Sequence, residues 1–369
     1  MPKNPFIPAK LPVKIDYQEL LQELTKAHGS IARLDAMISQ LPNPSLLERT
    51  FLTKEAVLSS QIEGTQATIN EVFEYEAQGN QGDKRDDTNK KRDIQEITNY
   101  RLAMRKGAEM LKERPLSENM IKELHRILLQ SVRGYNKAPG EFRKQLVYVG
   151  SHGAGIENAS YVPPPPTEIN ELFSNFEKYL NSKDEQDVLV QIAIAHFQFE
   201  AIHPFLDGNG RIGRLIIPLF LYDRKVLSYP LLYVSQYFEE HRPDYYELLN
   251  NVSEKGEWIP WIKFFLRALD EQSVKAQETS KNVLGLYQKY KDIIFDFNSI
   301  YALNLLDAIF AHPVFSYKSI KEHVKIKSPQ TLITLINKFV DAGVIQQSMP
   351  ERKRNKIYAF GELMKMLDQ

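Results

Sequence analysis

The chain has 369 residues, 43% of them apolar, and its 47 Lys and Arg are balanced by 47 Asp and Glu. That length predicts two or three domains with sizeable cores, and the even charge excludes a global field directed at nucleic acid, membrane or acidic partners. The absence of cysteine excludes disulfides, thiolate catalysis and cysteine-ligated metals and fits a reducing compartment.

In chain order, MPKNPFIPAKLP sets prolines where a leader would need an apolar run, and no apolar stretch reaches bilayer length. The expected location is therefore the cytoplasm, with no membrane contact. Residues 1–15 read as extended. Leu20, Leu21, Leu24, Ile31, Leu34 and Ile38 recur at helical spacing over 17–39 and predict a first helix pair. LPNPS breaks the pattern, and Pro44 and Ser45 start a further helix. Its stripe of Leu46, Leu47, Phe51, Leu52, Ala56 and Ile62 ends at Gly64.

A short helix over 69–77 is followed by the polar run GNQGDKRDDTNKKR, read as an exposed connection. Helices are expected again over 93–112 and 117–131. GEFRKQLVYV at 140–149 then alternates like a strand, and turn-rich GSHGAG follows it, which predicts a small hairpin or flap. Helices resume over 167–180 and 187–201, the second apolar nearly all round and so central. Further helices are expected at 215–222, 236–253 and 258–284, the last extending into a connecting helix.

From Tyr301 the pattern is helix, short helix over 316–324, helix from Ser328 to Gly343, then VIQQSM and KIYAF as strands around PERKRN. The fold class is mainly α. The expected divisions are an N-terminal helical segment at 1–90, a core at 91–285, a connection at 286–300 and a compact tail at 301–369.

The stretch HPFLDGNGRIGR, His203 to Arg214, holds a base, a carboxylate, three glycines, an asparagine and two arginines. A bland surface loop explains neither the glycine spacing nor the arginine pair. Gly208, Gly210 and Gly213 also make a formal GxGxxG, but the dinucleotide fingerprint needs a preceding strand in a βαβ unit, and the neighbourhood here is helical. A third reading takes a glycine turn running into a helix at about Ile212, whose exposed N–H groups form an anion nest. Arg211 and Arg214, three apart, then grip phosphates from one helix face. Asp207 suits one corner of a phosphate-carried magnesium ion, and His203 suits a general base at neutral pH. Together these point to transfer from a nucleotide to a hydroxyl. No P-loop lysine or kinase signature accompanies them.

The stretch resembles the signature of the Fic family, HPF-x-[DE]-G-N-G-R-x-x-R, at every defined position. The resemblance implies a Fic-type helical bundle with a β-hairpin flap, and transfer of AMP from ATP to a Ser, Thr or Tyr hydroxyl of a target protein or of the chain itself. It implies His203 as the general base, Asp207 as the Mg2+ ligand and Asn209 as a contact to the α-phosphate. Arg211 and Arg214 would hold the β- and γ-phosphates, with Gly208, Gly210, Ile212 and Gly213 completing the ATP cradle. GEFR and VYVGSH resemble the family's flap, which would set Val149, Gly150, Ser151 and His152 near the nucleotide. Tyr245 and Tyr246 resemble a pair lining the adenine pocket, and Ser253 stands where some members carry a base-contacting asparagine.

SSQIEG admits a capping-box reading, Ser60 with Glu63, but the apolar stripe before it argues for a helix that ends there. In the Fic family S-x-x-x-E-G marks an inhibitory helix, and Ser59, Glu63 and Gly64 match it. The implied brake, on a helix at about 45–64, is Glu63 occupying Arg214 in place of the γ-phosphate. In some relatives the same glutamate serves removal of AMP, so a de-AMPylating or bifunctional enzyme is the alternative, beside a nucleotide-sensing regulator or antitoxin-like module.

The tail resembles a winged helix, with 328–342 as recognition helix and PERKRN as wing. Nine Lys or Arg against three Asp or Glu between Lys318 and Lys356 admit DNA as a partner, with protein contact as the alternative. A homodimer is compatible with this reading.

Overall fold

The computed structural model describes residues 4–40, 44–78, 88–132, 136–150, 159–183, 185–348 and 355–367. A 3-10 turn, Tyr17–Leu20, leads into α1 (Leu21–Ser39). Then come α2 (Ser45–Ile62), α3 (Ile69–Ala77), α4 (Thr88–Met110) and α5 (Glu118–Leu128). Past the flap segment lie α6 (Pro166–Asn181), α7 (Val188–Ile202), α8 (Asn209–Asp223), α9 (Ser235–Glu240) and α10 (Arg242–Lys255). The long α11 (Trp258–Phe295) carries the chain to the tail.

Local chemistry accounts for most boundaries. Thr68 and Glu71 form a capping box at α3. Asp187 caps α7 by accepting from the N–H groups of Leu189 and Val190. The α7 helix is apolar all round because α6, α8 and α11 enclose it, and its residues from Leu189 to Phe199 are all buried. The α2 helix lies against α4, α9 and α12 (Ala302–Ala311), and α1 runs along α11.

The tail orders as α12, β1 (Val314–Ser316), α13 (Tyr317–Lys321), α14 (Pro329–Asp341), β2 (Gln346–Gln347), β3 (Ile357–Ala359) and α15 (Gly361–Leu367). Its sheet is antiparallel with strand order β1-β3-β2, pairing Val314 with Ala359 and Gln347 with Tyr358. Buried apolar side chains form one cluster from Leu11 to Leu367, so tail and bundle share a core.

Three expectations are corrected. The helix expected over 236–253 is two helices, because Pro243 offers no N–H and a new helix starts around it. The α8 helix begins at Asn209, ahead of Ile212, since Gly208 adopts a left-handed φ of 79° and supplies the cap. The strand expected over 140–149 reduces to one antiparallel bridge, Val149 with Tyr161. Its backbone is drawn elsewhere: the Arg143 N–H donates to Pro204 O, and the Arg143 guanidinium donates to the carbonyls of Gln145 and Pro164. Ser151, His152 and residues 350–354 of the expected wing lie outside the described residues.

Candidate active site

The α7–α8 pair presents His203, Gly210 and Arg214 to a cleft of about 810 Å³, while Asp207, Asn209 and Arg211 do not line it. The end of α2 contributes Glu63 and Gly64, the flap segment Val149 and Gly150, and the central stretch His203, Gly210 and Arg214. Helix α10 contributes Arg242, Tyr245 and Tyr246, with Asn250 and Ser253 one and two turns further on. Residues separated by up to 190 positions in sequence thus meet around one space.

His203 terminates α7 in the left-handed region, φ 48° and ψ 59°, with its N–H donating to Phe199 O at 3.0 Å. Burial, reinforced by the Arg143 guanidinium, pushes its imidazole down to about 4, so the ring is an unprotonated acceptor at neutral pH. Arg143 fixes the surrounding chain. Its Nε–H donates to His203 O at 2.8 Å and its Nη2 to Pro164 O at 2.6 Å and Ile202 O at 3.3 Å. Burial lowers this guanidinium to about 10.

The turn after His203 is shaped by its own residues. The Asn209 side chain accepts from Phe205 N–H and donates to Phe205 O, both at 2.9 Å, which closes the loop on itself. His125 braces it from α5: the Gly140 N–H donates to Nδ1 at 2.8 Å, and Nε2–H donates to Asp207 O at 2.9 Å. That pair of bonds needs the neutral ring, and burial holds it so, at about 4. The imidazole also stacks on Phe205 with centroids 3.8 Å apart.

The arginines differ in their partners. Arg211 is buried, its Nη1 donating to Glu96 at 3.0 Å and its Nη2 to Asp207 at 3.3 Å. The Asp207 carboxylate is 38% exposed. Arg214 is sealed at 1% exposure. Its Nε–H donates to Ser59 Oγ at 2.9 Å, and Nη2 donates to Ser59 O at 2.8 Å and to Glu63 Oε1 at 2.7 Å. Burial alone would raise the Glu63 carboxyl, but the guanidinium overrides it and holds the group below its ordinary range. A Cβ on Gly210 would collide with both partners of this pair. Gly64, at φ 93°, ends α2 immediately after Glu63, and Arg242 Nη2 donates to the terminal Ile62 carbonyl at 2.6 Å.

Ile212 is a core residue, fully buried. Gly213 accepts at its carbonyl from His196 Nδ1–H at 3.2 Å, while the Tyr245 hydroxyl donates to His196 Nε2 at 2.8 Å. Tyr245 is 1% exposed and Tyr246 37%, so Tyr246 offers the accessible ring of the pair. Four polar groups were not singled out from sequence: His125, Arg143, Glu96 and Glu200. Glu200 lies one turn before His203, lines the cleft, and has a buried Oε1 without a partner. Burial raises it to about 7. A charged residue inside an otherwise apolar stretch was the available signal for Glu200.

Chemically, the cleft joins the His203 imidazole, Gly210 at a helix start and a guanidinium held by the Glu63 carboxylate, with the partly exposed Asp207 carboxylate outside its lining. Among the described residues no group of three or more His, Asp or Glu forms a metal cage. Asp207 adds one partly exposed carboxylate, which Arg211 Nη2 approaches at 3.3 Å.

Comparison with known proteins bears on the family and the fold. The Fic/DOC family N-terminal profile matches residues 21–109 and the Fic/DOC family profile residues 115–221, together more than half of the chain. Protein adenylyltransferase Fic of Drosophila ananassae is 33% identical over 172 residues, which is 46% of this chain and 31% of that protein. The Aedes aegypti protein of the same name is 36% identical over 146 residues, 39% of this chain and 26% of that protein. The chain thus spans between a quarter and a third of the length of these relatives. The crystal structure of a Fic family protein from Desulfovibrio desulfuricans G20 superposes with a TM-score of 0.59 at 21% identity, covering 95% of this chain and 98% of that one. A Fic domain containing signaling protein from Bacteroides thetaiotaomicron gives 0.54 at 20%, covering 71% and 97%.

Proposed function

The chain belongs to the Fic/DOC family, and on that premise we propose that it is a protein adenylyltransferase, moving AMP from ATP to a hydroxyl side chain of a target protein or of itself. The observation that carries this reading is the meeting of His203 with Gly210 and Arg214 in one cleft beside the α8 start, where a hydroxyl can lose its proton to the imidazole as a phosphate is attacked. In the reaction the hydroxyl oxygen bonds the α-phosphorus, the bond to the pyrophosphate bridge breaks, and His203 takes the hydroxyl proton.

The Gly208–Gly210 turn and the first N–H groups of α8 suit phosphate oxygens, and Arg211 and Arg214 suit the outer phosphates. Asp207, with its exposed carboxylate, would hold Mg2+, which supplies charge neutralisation on the polyphosphate when bound. Tyr246 and Val149 would bracket the base. Glu63 occupying Arg214 supports an autoinhibited resting state, because ATP and the carboxylate need the same guanidinium.

For the tail we infer a winged helix from its helix-strand-helix-helix-strand-strand order and its β1-β3-β2 sheet. On the exposed face of α14, Lys338 donates to Phe297 O at 2.8 Å, which weighs against duplex DNA as its partner, and a salt-dependent mobility shift of the full chain tests that contact.

The test of the enzymatic reading is mass spectrometry of Glu63→Gly protein incubated with ATP and magnesium. An AMP adduct that disappears in the Glu63→Gly, His203→Ala double variant is expected; an adduct that survives the second substitution would overturn His203 as the base.

A further inference from the structure

Away from the cleft, the N-terminal helices and the tail enclose a cavity of about 450 Å³. Arg49 of α2 enters it beside Glu76 of α3, and the tail contributes His312, Lys318, Glu322 and His323. Arg49, Arg101 and Lys318 here face two carboxylates, Glu76 and Glu322. Arg49 and Arg101 share one carboxylate, Glu76, and Arg101 Nη1 is turned to Thr53 Oγ1 at 2.8 Å. Arg49 Nη1 donates to His312 Nε2 at 3.3 Å, which leaves the His312 proton on Nδ1. The Arg49 Nε is buried without an acceptor. His312 stacks on His323 with centroids 3.7 Å apart.

The electrostatics agree with the geometry. Burial lowers Arg49 from its ordinary value, Arg101 and Arg105 add to the lowering, and Glu76 only partly offsets them. Burial and Arg49 likewise push His312 down to about 2 and lower His323, the latter despite Glu322. A partly buried guanidinium pair and Lys318 against Glu76 and Glu322, an unsatisfied N–H and two imidazoles kept from protonating leave the site one negative charge short.

We propose that this cavity binds a small phosphate-bearing anion, held by Arg49, His312, His323 and Lys318. Donors arriving from α2 and from two parts of the tail surround the space from several directions, which suits a tetrahedral oxyanion better than a planar carboxylate. The volume exceeds that of a free phosphate, so a phosphate monoester also has room. Occupancy joins α2, which carries Glu63 at its far end, to the tail.

The experiment uses the full chain with 13C-labelled histidine, titrated with inorganic phosphate or AMP against chloride at constant ionic strength. His312 and His323 report this cavity, and His203 reports the catalytic cleft separately. Saturable shifts at His312 and His323, with their protonation moved to higher pH, are expected. Lys318 and His323 are exposed, so Lys318→Ala and the double variant with His323→Ala should keep the fold. Both should weaken the response at His312 by roughly tenfold or more. Tighter binding of AMP than of phosphate identifies a monoester site, and equal binding a free-phosphate site. No saturable shift at either histidine, or an affinity unchanged in the double variant, would overturn the proposal.

Discussion

Arg214 and Glu63, 151 residues apart in sequence, meet at 2.7 Å across the floor of the cleft, with the guanidinium sealed and the carboxylate 37% exposed. The asymmetry matters: the carboxylate can be exchanged for a phosphate from the cleft side while Ser59 continues to hold Nε and Nη2 from behind. Glu63→Gly should therefore raise AMP transfer by about tenfold or more, equivalent to about 1.4 kcal/mol of competition removed. Label transfer from α-labelled ATP measures it, and equal rates in the two proteins would sink the brake.

Ser59→Ala removes the Oγ that accepts from Arg214 Nε. A buried donor without a partner costs about 1 to 3 kcal/mol, so the variant should lose stability in a urea titration. Because the Glu63 pair remains, its transfer rate should rise far less than that of Glu63→Gly. A rate equal to that of Glu63→Gly would make Ser59 the stronger half of the brake.

Arg143→Gln tests positioning of the base. The guanidinium touches neither hydroxyl nor nucleotide in the proposed reaction, yet it holds the carbonyls of Ile202 and His203. In the Glu63→Gly background kcat should fall by about 100-fold, the scale of a 1 Å misplacement, with KM for ATP little changed. A rise in KM alone would assign Arg143 to nucleotide binding.

The two tyrosines should separate. Tyr246→Ala should raise KM for ATP, since its ring is the exposed one in the cleft. Tyr245→Phe removes the bond to His196 and should appear mainly as lost stability. The reverse pattern would place the base against Tyr245.

Stability should fall on acidification. Burial holds His312 at about 2, His196 at about 3 and His125 and His203 at about 4. All lie below the ordinary value of about 6.5, so between about 4 and 6.5 the unfolded chain binds more protons and stability drops as pH falls. Glu55 and Glu200, raised to about 7 by burial, oppose this between about 4.5 and 7, two groups against four. Urea midpoints that decline from pH 6.5 to 4.5 are expected, and midpoints that rise over that range would contradict the neutral assignments.

The helical class, the bundle-then-tail order and the chemistry of HPFLDGNGRIGR were legible in the sequence alone. Their signals are local: helical spacing, glycines at a turn, a base and two arginines within twelve residues. The segment of the Glu63–Arg214 pair was legible too, as a short pattern ending at Gly64, although only the family resemblance tied Glu63 to Arg214. What the tertiary structure alone decided were the long-range partners. Arg143 meets His203 across 60 residues, His125 meets Asp207 across 82 and Arg211 meets Glu96 across 115. A buried polar group is specified by whichever atom satisfies it, and that atom is brought near by packing, so no spacing along the chain announces it. The same reason explains why GEFRKQLVYV reads as a strand and yet lies against the turn at His203: its alternation is local, but Arg143 binds it to carbonyls elsewhere.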